Sequence, residues 1–199
     1  MRKIVVFDRV SADGYYSAMD GNLNWAVPEP ELDKAAAGSL DGAGTMLFGR
    51  RTYDMFESFW PNVLGDGPTA PDPHAAGRRN AEMHAMAVWI NASEKVVFSR
   101  TRQSVTWTNS RLVPEFDPRQ VAALKEQPGR DIMVFGSGSI ASLLTEHDLV
   151  DEYQLIINPI LLGGGQSLMR GVSAPRKVEL IESTTYPSGN VKLRYAAKR

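Results

Sequence analysis

The residues best suited to chemistry in this chain are a glycine–serine turn and the arginines that recur after other apolar runs. At Asp131-Ile-Met-Val-Phe-Gly-Ser-Gly-Ser-Ile-Ala-Ser-Leu-Leu144 the apolar run Ile132 to Phe135 meets Gly136-Ser137-Gly138-Ser139. Ile140, Leu143 and Leu144 then recur at helical spacing. The pattern is strand, glycine turn, helix. Glycine allows positive φ and close approach to a ligand. The helix start presents unpaired N–H groups and the positive end of the dipole, a seat for phosphate. The turn also satisfies G-x-G-x-x-A, the dinucleotide fingerprint. Only about sixty residues follow it, however, and Asp151 and Glu152 precede the next strand rather than closing it. A Rossmann domain is therefore not expected.

A second junction runs from Thr45-Met-Leu-Phe48 into Gly49-Arg50-Arg51-Thr52 and a helix through Tyr53, Phe56 and Glu57. Arginine's planar fork suits phosphate oxygens. Two exposed arginines near a helix start are the plainer alternative, although cations sit unfavourably at that end of the dipole. A third junction ends Lys95-Val-Val-Phe with Ser99-Arg100-Thr101. Among the acids, Asp33 falls in the first turn of a helix. There it either serves the dipole or, if buried, holds a proton for catalysis. Asp13 ends the first strand and could face a substrate or simply form an Asp-Gly turn. His74, His84 and His147 lack metal-ligand spacing, so no metal is expected. Ser137 and Ser139 have no His/Asp partnership, which argues against a hydrolase. Gly163 to Gly165 could approach a ligand or reverse the chain. Tyr53, Phe56, Trp60 and Trp89 read as core or pocket wall.

These junctions need a scaffold, and the chain supplies one. Lys3 to Val10 is a β-branched strand. Tyr15 to Pro30, with Asp20-Gly21, Asn24, Trp25 and Pro28, reads as a long loop of the kind that either covers a ligand or forms a surface hairpin. Pro30 to Leu40 is helical, with Leu32, Ala35, Ala36 and Leu40 as its buried face. Asn62 to Gly77 lacks periodicity and reads as a loop. Arg78 to Trp89 is helical with Met83, Met86 and Ala87 inward. Gln103 to Thr108 alternates like an edge strand. Pro118 to Gln127 is a helix with Val121 and Leu124 inward. Asp151 to Ile157, Val178 to Ser183 and Val191 to Ala196 complete the strands. Alternation of strands and helices followed by paired strands predicts a three-layer α/β/α fold. Its sheet is mixed, mainly parallel, with an antiparallel C-terminal edge.

Composition narrows the function classes. The 199 residues are expected to form a single domain, 1–199. A net charge of −1 without long basic runs argues against nucleic acid as a partner. The absence of cysteine excludes disulfides and thiolate catalysis. No apolar segment reaches about 18 residues, and the chain enters its first strand without a signal-peptide pattern. No membrane association is expected, and a cytoplasmic location is.

Taken together, Thr45-Met-Leu-Phe-Gly-Arg-Arg-Thr-Tyr53, Lys95-Val-Val-Phe-Ser-Arg-Thr101 and Asp131-Ile-Met-Val-Phe-Gly-Ser-Gly-Ser139 resemble dihydrofolate reductase in order and spacing. Ser11-Ala-Asp-Gly-Tyr15, Leu149-Val-Asp-Glu-Tyr153 and Asn158-Pro-Ile-Leu-Leu-Gly-Gly-Gly165 look closer to the riboflavin-biosynthesis reductase C-terminal domain and its short stand-alone relatives. The resemblance spans nearly the whole chain and is weakest from Asn62 to Gly77. It implies an NADPH-dependent reductase fold, a small planar heterocycle as substrate, and a homodimer. A protein that keeps the nucleotide seat without turnover is the alternative. By resemblance the cofactor residues are Gly136, Ser137, Gly138, Ser139 and Ile140 at the pyrophosphate, Gly49, Arg50, Arg51 and Thr52 on the adenosine side, and Ser99 and Arg100 at the 2′-phosphate. Asp33 stands where the folate enzyme carries its catalytic acid. Asp13, Trp25 and Tyr53 are the substrate-side candidates. Trp25 lies farther from Asp33 than the folate enzyme's tryptophan lies from its acid, so the loop departs from that enzyme.

Overall fold

The computed structural model describes residues 1–39, 43–65 and 80–198. The first strand, β1 (Ile4–Ser11), leads into a short β2 (Tyr15–Ser17) and helix α1 (Pro30–Ser39). Strand β3 (Ala43–Gly49), helices α2 (Arg50–Val63) and α3 (Ala81–Ala92), and strands β4 (Glu94–Phe98) and β5 (Ser110–Val113) follow. Helix α4 (Pro118–Glu126), β6 (Asp131–Phe135), α5 (Gly138–Glu146) and β7 (Glu152–Asn158) come next, and β8 (Gln166–Ser167), β9 (Val178–Thr185) and β10 (Val191–Ala197) close the chain.

Eight strands form one sheet in the order β5-β4-β3-β6-β1-β7-β10-β9. Pairings from β5 to β7 are parallel, and β10 runs antiparallel to both β7 and β9. The three-layer fold read from the sequence is therefore the fold observed. Alternation along each strand divides two cores. Ile4, Val6 and Val10 of β1 pack with Val121 and Leu124 of α4 and Ile140, Ala141 and Leu144 of α5. On the other face Met46 and Phe48 of β3 meet Tyr53 of α2 and Ile90 of α3. Phe7, Ile156 and Tyr186 seat Leu32 of α1 on that second side. Each such buried side chain contributes about 1.5–3 kcal/mol. Among the described residues no helix is long and apolar enough to cross a membrane.

Several local expectations need correcting. Gln103 to Thr108 is not an edge strand. Trp107 turns into the core and donates from Nε1 to Asn91 Oδ1 at 2.8 Å. The backbone N–H of Trp107 and the Thr106 hydroxyl reach Glu57 Oε1 at 3.2 and 2.8 Å. With its donors drawn to α2, the segment cannot extend the sheet, and β5 does so instead. Helix α2 continues through Pro61 to Val63 instead of ending before Asn62. In α1, Leu32 is buried but Ala35 is exposed. Leu40, His74 and the 66–79 stretch fall outside the described residues.

The Tyr15 to Pro30 segment is tied down rather than draped over the surface. β2 pairs with β8, an approach that only Gly165 permits: its φ is +153°, and a Cβ there would lie 2.1 Å from the Ser17 carbonyl. Further along, Asn158 accepts from Val27 N–H at 2.9 Å and donates to Val10 carbonyl at 3.3 Å. Asn190 donates to Val27 carbonyl at 3.1 Å, and Glu29 accepts from the N–H groups of Glu31 and Ser188, each at 3.1 Å. The loop is thereby held across the carboxyl ends of β1 and β7.

Candidate functional site

In open α/β sheets ligands gather outside the carboxyl ends of the strands, where strand order reverses. Here β6 lies between β3 and β1, and the glycine turns after β3 and β6 stand side by side. Thr52 Oγ1 accepts from Ser137 N–H at 3.0 Å, while Ser137 Oγ accepts from Gly49 N–H at 3.0 Å. The two turns are clasped by reciprocal bonds. A Cβ on Gly49 would already lie 3.2 Å from Ser139 Oγ. The starts of α2 and α5 are thus brought together, and their positive dipole ends reinforce each other.

The turn itself divides its labour. Ser137 is buried with φ 54°, and both its N–H and its hydroxyl are spent on the clasp. Ile140 is buried in the core, and its N–H donates to Ser137 carbonyl at 2.7 Å. Neither offers a free group to a ligand, so their expected cofactor contacts are replaced by structural roles. Gly138 and Ser139 remain, and their N–H groups have no acceptor among the described residues. Ser139 is exposed. These are the donors a phosphate would meet, and they fit an anionic group.

Three residues that the motifs did not single out complete this end. The Tyr16 ring lies on Gly138, so closely that a Cβ there would be 2.3 Å from the ring. Burial and then the nearby Asp8 raise the Tyr16 hydroxyl above its ordinary range, while Arg51 and Arg170 act to lower it. Neither arginine forms an ion pair among the described residues. Arg170 follows β8, which pairs with the strand β2 that carries Tyr16. A charge inside the apolar strand Lys3 to Val10 is the signal that could have found Asp8.

The side that the resemblance gives to adenosine is built around Arg50. A cleft of about 490 Å³ is lined by Arg50, Asp54, Thr101 and Arg102. Arg50 pairs with Asp54 at 3.5 Å, and Arg102 pairs with Asp54 and Glu57 while its guanidinium sits 4.6 Å over the Tyr53 ring. Ser99 is buried, and its hydroxyl accepts from Thr101 and Arg102 N–H at 3.2 and 3.0 Å. It shapes the turn after β4, and Arg100 lies exposed beside it. Arg102, not Arg100, lines the cleft.

The other expected residues separate. Tyr53 has no solvent exposure and donates its hydroxyl to Glu57 at 3.0 Å. It is core, and the expectation of a substrate contact is corrected by that burial. Asp13 spends its carboxylate on Ser11 Oγ and on Leu162 and Gly163 N–H at 2.6, 3.1 and 2.7 Å. The Ser11 bond, first, holds it below the usual carboxylate range. It organises the glycine loop. Trp25 Nε1 is buried with no acceptor among the described residues. Asp33 pairs with Arg9 at 3.0 Å on the face of β1 that carries Phe7. Burial raises its pKa against the opposing pull of Arg9. His84 and His147 are exposed, and the described residues contain no cluster of metal ligands.

Comparison with known proteins places this geometry. Residues 2–192 match the family model of the RibD C-terminal domain. The uncharacterized protein YyaP of Bacillus subtilis (strain 168) is 27% identical over 198 residues, covering 98% of this chain and 94% of its own. A solved structure from Shewanella sp. PV-4, of a protein provisionally assigned to riboflavin biosynthesis, superposes with a TM-score of 0.71. It has 23% identity and 99% coverage of both chains. The diaminohydroxyphosphoribosylaminopyrimidine deaminase/5-amino-6-(5-phosphoribosylamino)uracil reductase of Thermotoga maritima gives a TM-score of 0.65 at 14% identity. There 99% of this chain covers 57% of the bifunctional one. At these identities the two structures speak to the fold.

Proposed function

Since the chain belongs to the RibD C-terminal domain family, we propose that it is an NADPH-dependent reductase of a small planar heterocycle, pteridine- or pyrimidine-like. The observation that carries this reading is the clasp between Ser137 and Thr52, which sets two helix starts and two free N–H groups at one point of the sheet. That point suits a pyrophosphate. Arg51 and Arg170 add positive charge beside it, and Arg50, Thr101 and Arg102 line a cleft of a size for the adenosine end. A bound nicotinamide dinucleotide would supply the hydride.

The chain's own contribution is position and protons. The turns after β3 and β6 hold the dinucleotide along the strand ends, so the reacting ring falls near β1 and the tied loop. There Asp33, partly shielded and with a pKa raised by burial, is placed to pass a proton to a reduced ring nitrogen. Arg9 positions that carboxyl. A second reading, a nucleotide-binding protein without turnover, draws on the same pair, because Arg9 already pairs with the carboxyl of that candidate acid. Homodimerisation belongs to the proposal as well. Val178, Leu180 and Ile181 on the edge strand β9 are 41, 53 and 51% exposed, an apolar strip suited to a second copy.

Thermal denaturation with NADPH, NADH or no ligand tests the cofactor. At a hundred times its Kd a ligand adds about 2.7 kcal/mol, or roughly 5–10 °C at this size. No shift with NADPH would remove both readings. Oxidation of NADPH by a panel of pterins, pyrimidines and quinones then separates reductase from sensor.

A further inference from the structure

Asp8 has no part in the reading above, yet its place is the least expected in the molecule. It lies on β1 between Val6 and Val10, on the face that packs against α5. Phe7 stands beside Phe135 in register, and Phe7 carbonyl accepts from Gly136 N–H at 3.2 Å. Asp8 is therefore alongside Gly136, at the base of the turn, where the neighbouring strand has no side chain to offer. It is 5% exposed, and its Oδ2 is buried with no hydrogen-bond partner among the described residues.

A carboxylate in that position has two costs. Burial without a counter-charge disfavours the ionised form and pushes the pKa up to about 8, against one opposing bond from the Arg9 backbone. The start of α5 also has a limited positive end to offer, and an ionised Asp8 and a phosphate would share it at close range with like charge. As a neutral acid, by contrast, Asp8 is a donor in search of an acceptor, and a phosphate oxygen is one.

We propose that Asp8 is a binding residue of the dinucleotide seat, meeting the pyrophosphate as a neutral acid so that cofactor binding draws in a proton. This rests on the dinucleotide reading of the site. Tyr16 turns off Gly138 as the ligand seats, because ring and phosphate cannot share that surface. The charged groups around the pair are Tyr16 from β2, Arg51 from α2 and Arg170 after β8. From α5, residues 138–144 carry no ionisable group, and β7 presents Leu155 opposite Asp8. Tyr16 titrates above its ordinary 10. Lys95, pushed down to about 8, is at the amino end of β4, away from the turn.

The test is calorimetric titration of the intact chain with NADPH from pH 7 to 9.5, in buffers of different ionisation enthalpy. Over this range the 2′-phosphate is already ionised. By linkage, affinity should weaken toward about tenfold per pH unit above Asp8's own pKa. Proton uptake should approach one per site. Asp8→Asn should bind within a few-fold of the native chain at pH 7, with a flat profile, no uptake, and at least about tenfold tighter binding at pH 9.5. Asp8→Ser serves if the amide disturbs folding, and the uptake measured on the native chain needs no variant. Native binding that is flat with pH, or a slope retained by the variants, would overturn the role of Asp8 alone. No NADPH binding at any pH would overturn the cofactor reading and this role with it.

Discussion

The backbone N–H of Ser137 donates to the hydroxyl of Thr52 at 3.0 Å, joining a turn after β6 to the first helical turn after β3 across 85 residues of chain. Ser137 returns a bond to Gly49 N–H through its own hydroxyl. Both groups of Ser137 are buried, so the clasp is a requirement of the fold at this point as well as the frame of the site. A residue that the motif marks as a ligand contact is what fixes the two turns to one another.

Thr52→Val keeps the shape of the side chain and removes the acceptor. A buried N–H left unsatisfied costs about 1–3 kcal/mol, which lowers Tm by roughly 2–4 °C per kcal/mol in a chain of this length. NADPH affinity should fall together with Tm, since Gly138 and Ser139 lose their fixed orientation. Equal Tm for native and variant chains in a thermal melt would refute the clasp.

Asp54 bridges Arg50 and Arg102 and so competes with an incoming phosphate for both. Asp54→Asn frees the two guanidinium groups. A charge-assisted bond gained or strengthened is worth about 1.5–3 kcal/mol at best, less where solvent screens it. NADPH should bind several-fold tighter while NADH is unchanged, and the gain should shrink at high salt. An equal change for both dinucleotides would show that the cleft does not receive the 2′-phosphate.

Asp33→Asn removes the half-shielded carboxyl that pairs with Arg9. Loss of a general acid typically costs about 10²–10⁴ in rate, with cofactor binding unaffected. Because the pKa of Asp33 is raised, the protonated form persists to higher pH than an ordinary aspartate allows, and native turnover should decline as pH rises through that shifted value. Arg9→Ala removes the opposing pull and should move the decline further toward alkaline pH. A variant with native turnover excludes Asp33 as the donor.

Asp8 also makes stability depend on pH. Its folded pKa, about 8, exceeds the ordinary 3.8, so between those values the folded state binds a proton that the unfolded chain has released. Stability is then greatest below about pH 4 as far as this group is concerned, falls by about 1.4 kcal/mol per pH unit toward pH 8, and is flat beyond. Asp8→Asn should melt close to the native chain at pH 5 and well above it at pH 9. Parallel Tm curves for the two would count against a buried, proton-bearing Asp8.

Much of this architecture was legible in the residues. Periodicity alone separates Ile132 to Phe135 from the helix after Ser139, and Thr45 to Phe48 from the helix after Gly49, because strand and helix bury apolar side chains at different repeats. The order of these junctions determines a mainly parallel sheet, and the motifs mark Gly138, Ser139 and Arg51 as candidate phosphate contacts at its strand ends. Tertiary structure alone decided which groups are free. Tyr53 and Ile140 carry the right spacing but turn inward, since the helix face that meets the sheet is set by packing and not by the motif. Ser137 and Asp13 are consumed by partners 85 and about 150 residues away. Arg102 displaces Arg100 from the cleft because Asp54 and Glu57, on another element, reach it. Asp8 stands in the sequence as a charge in an apolar strand, but its isolation is decided by the fold: among the described residues no ion pair or hydrogen bond reaches its buried Oδ2. Local pattern depends on neighbours in the chain. The state of a buried polar group depends on neighbours in space.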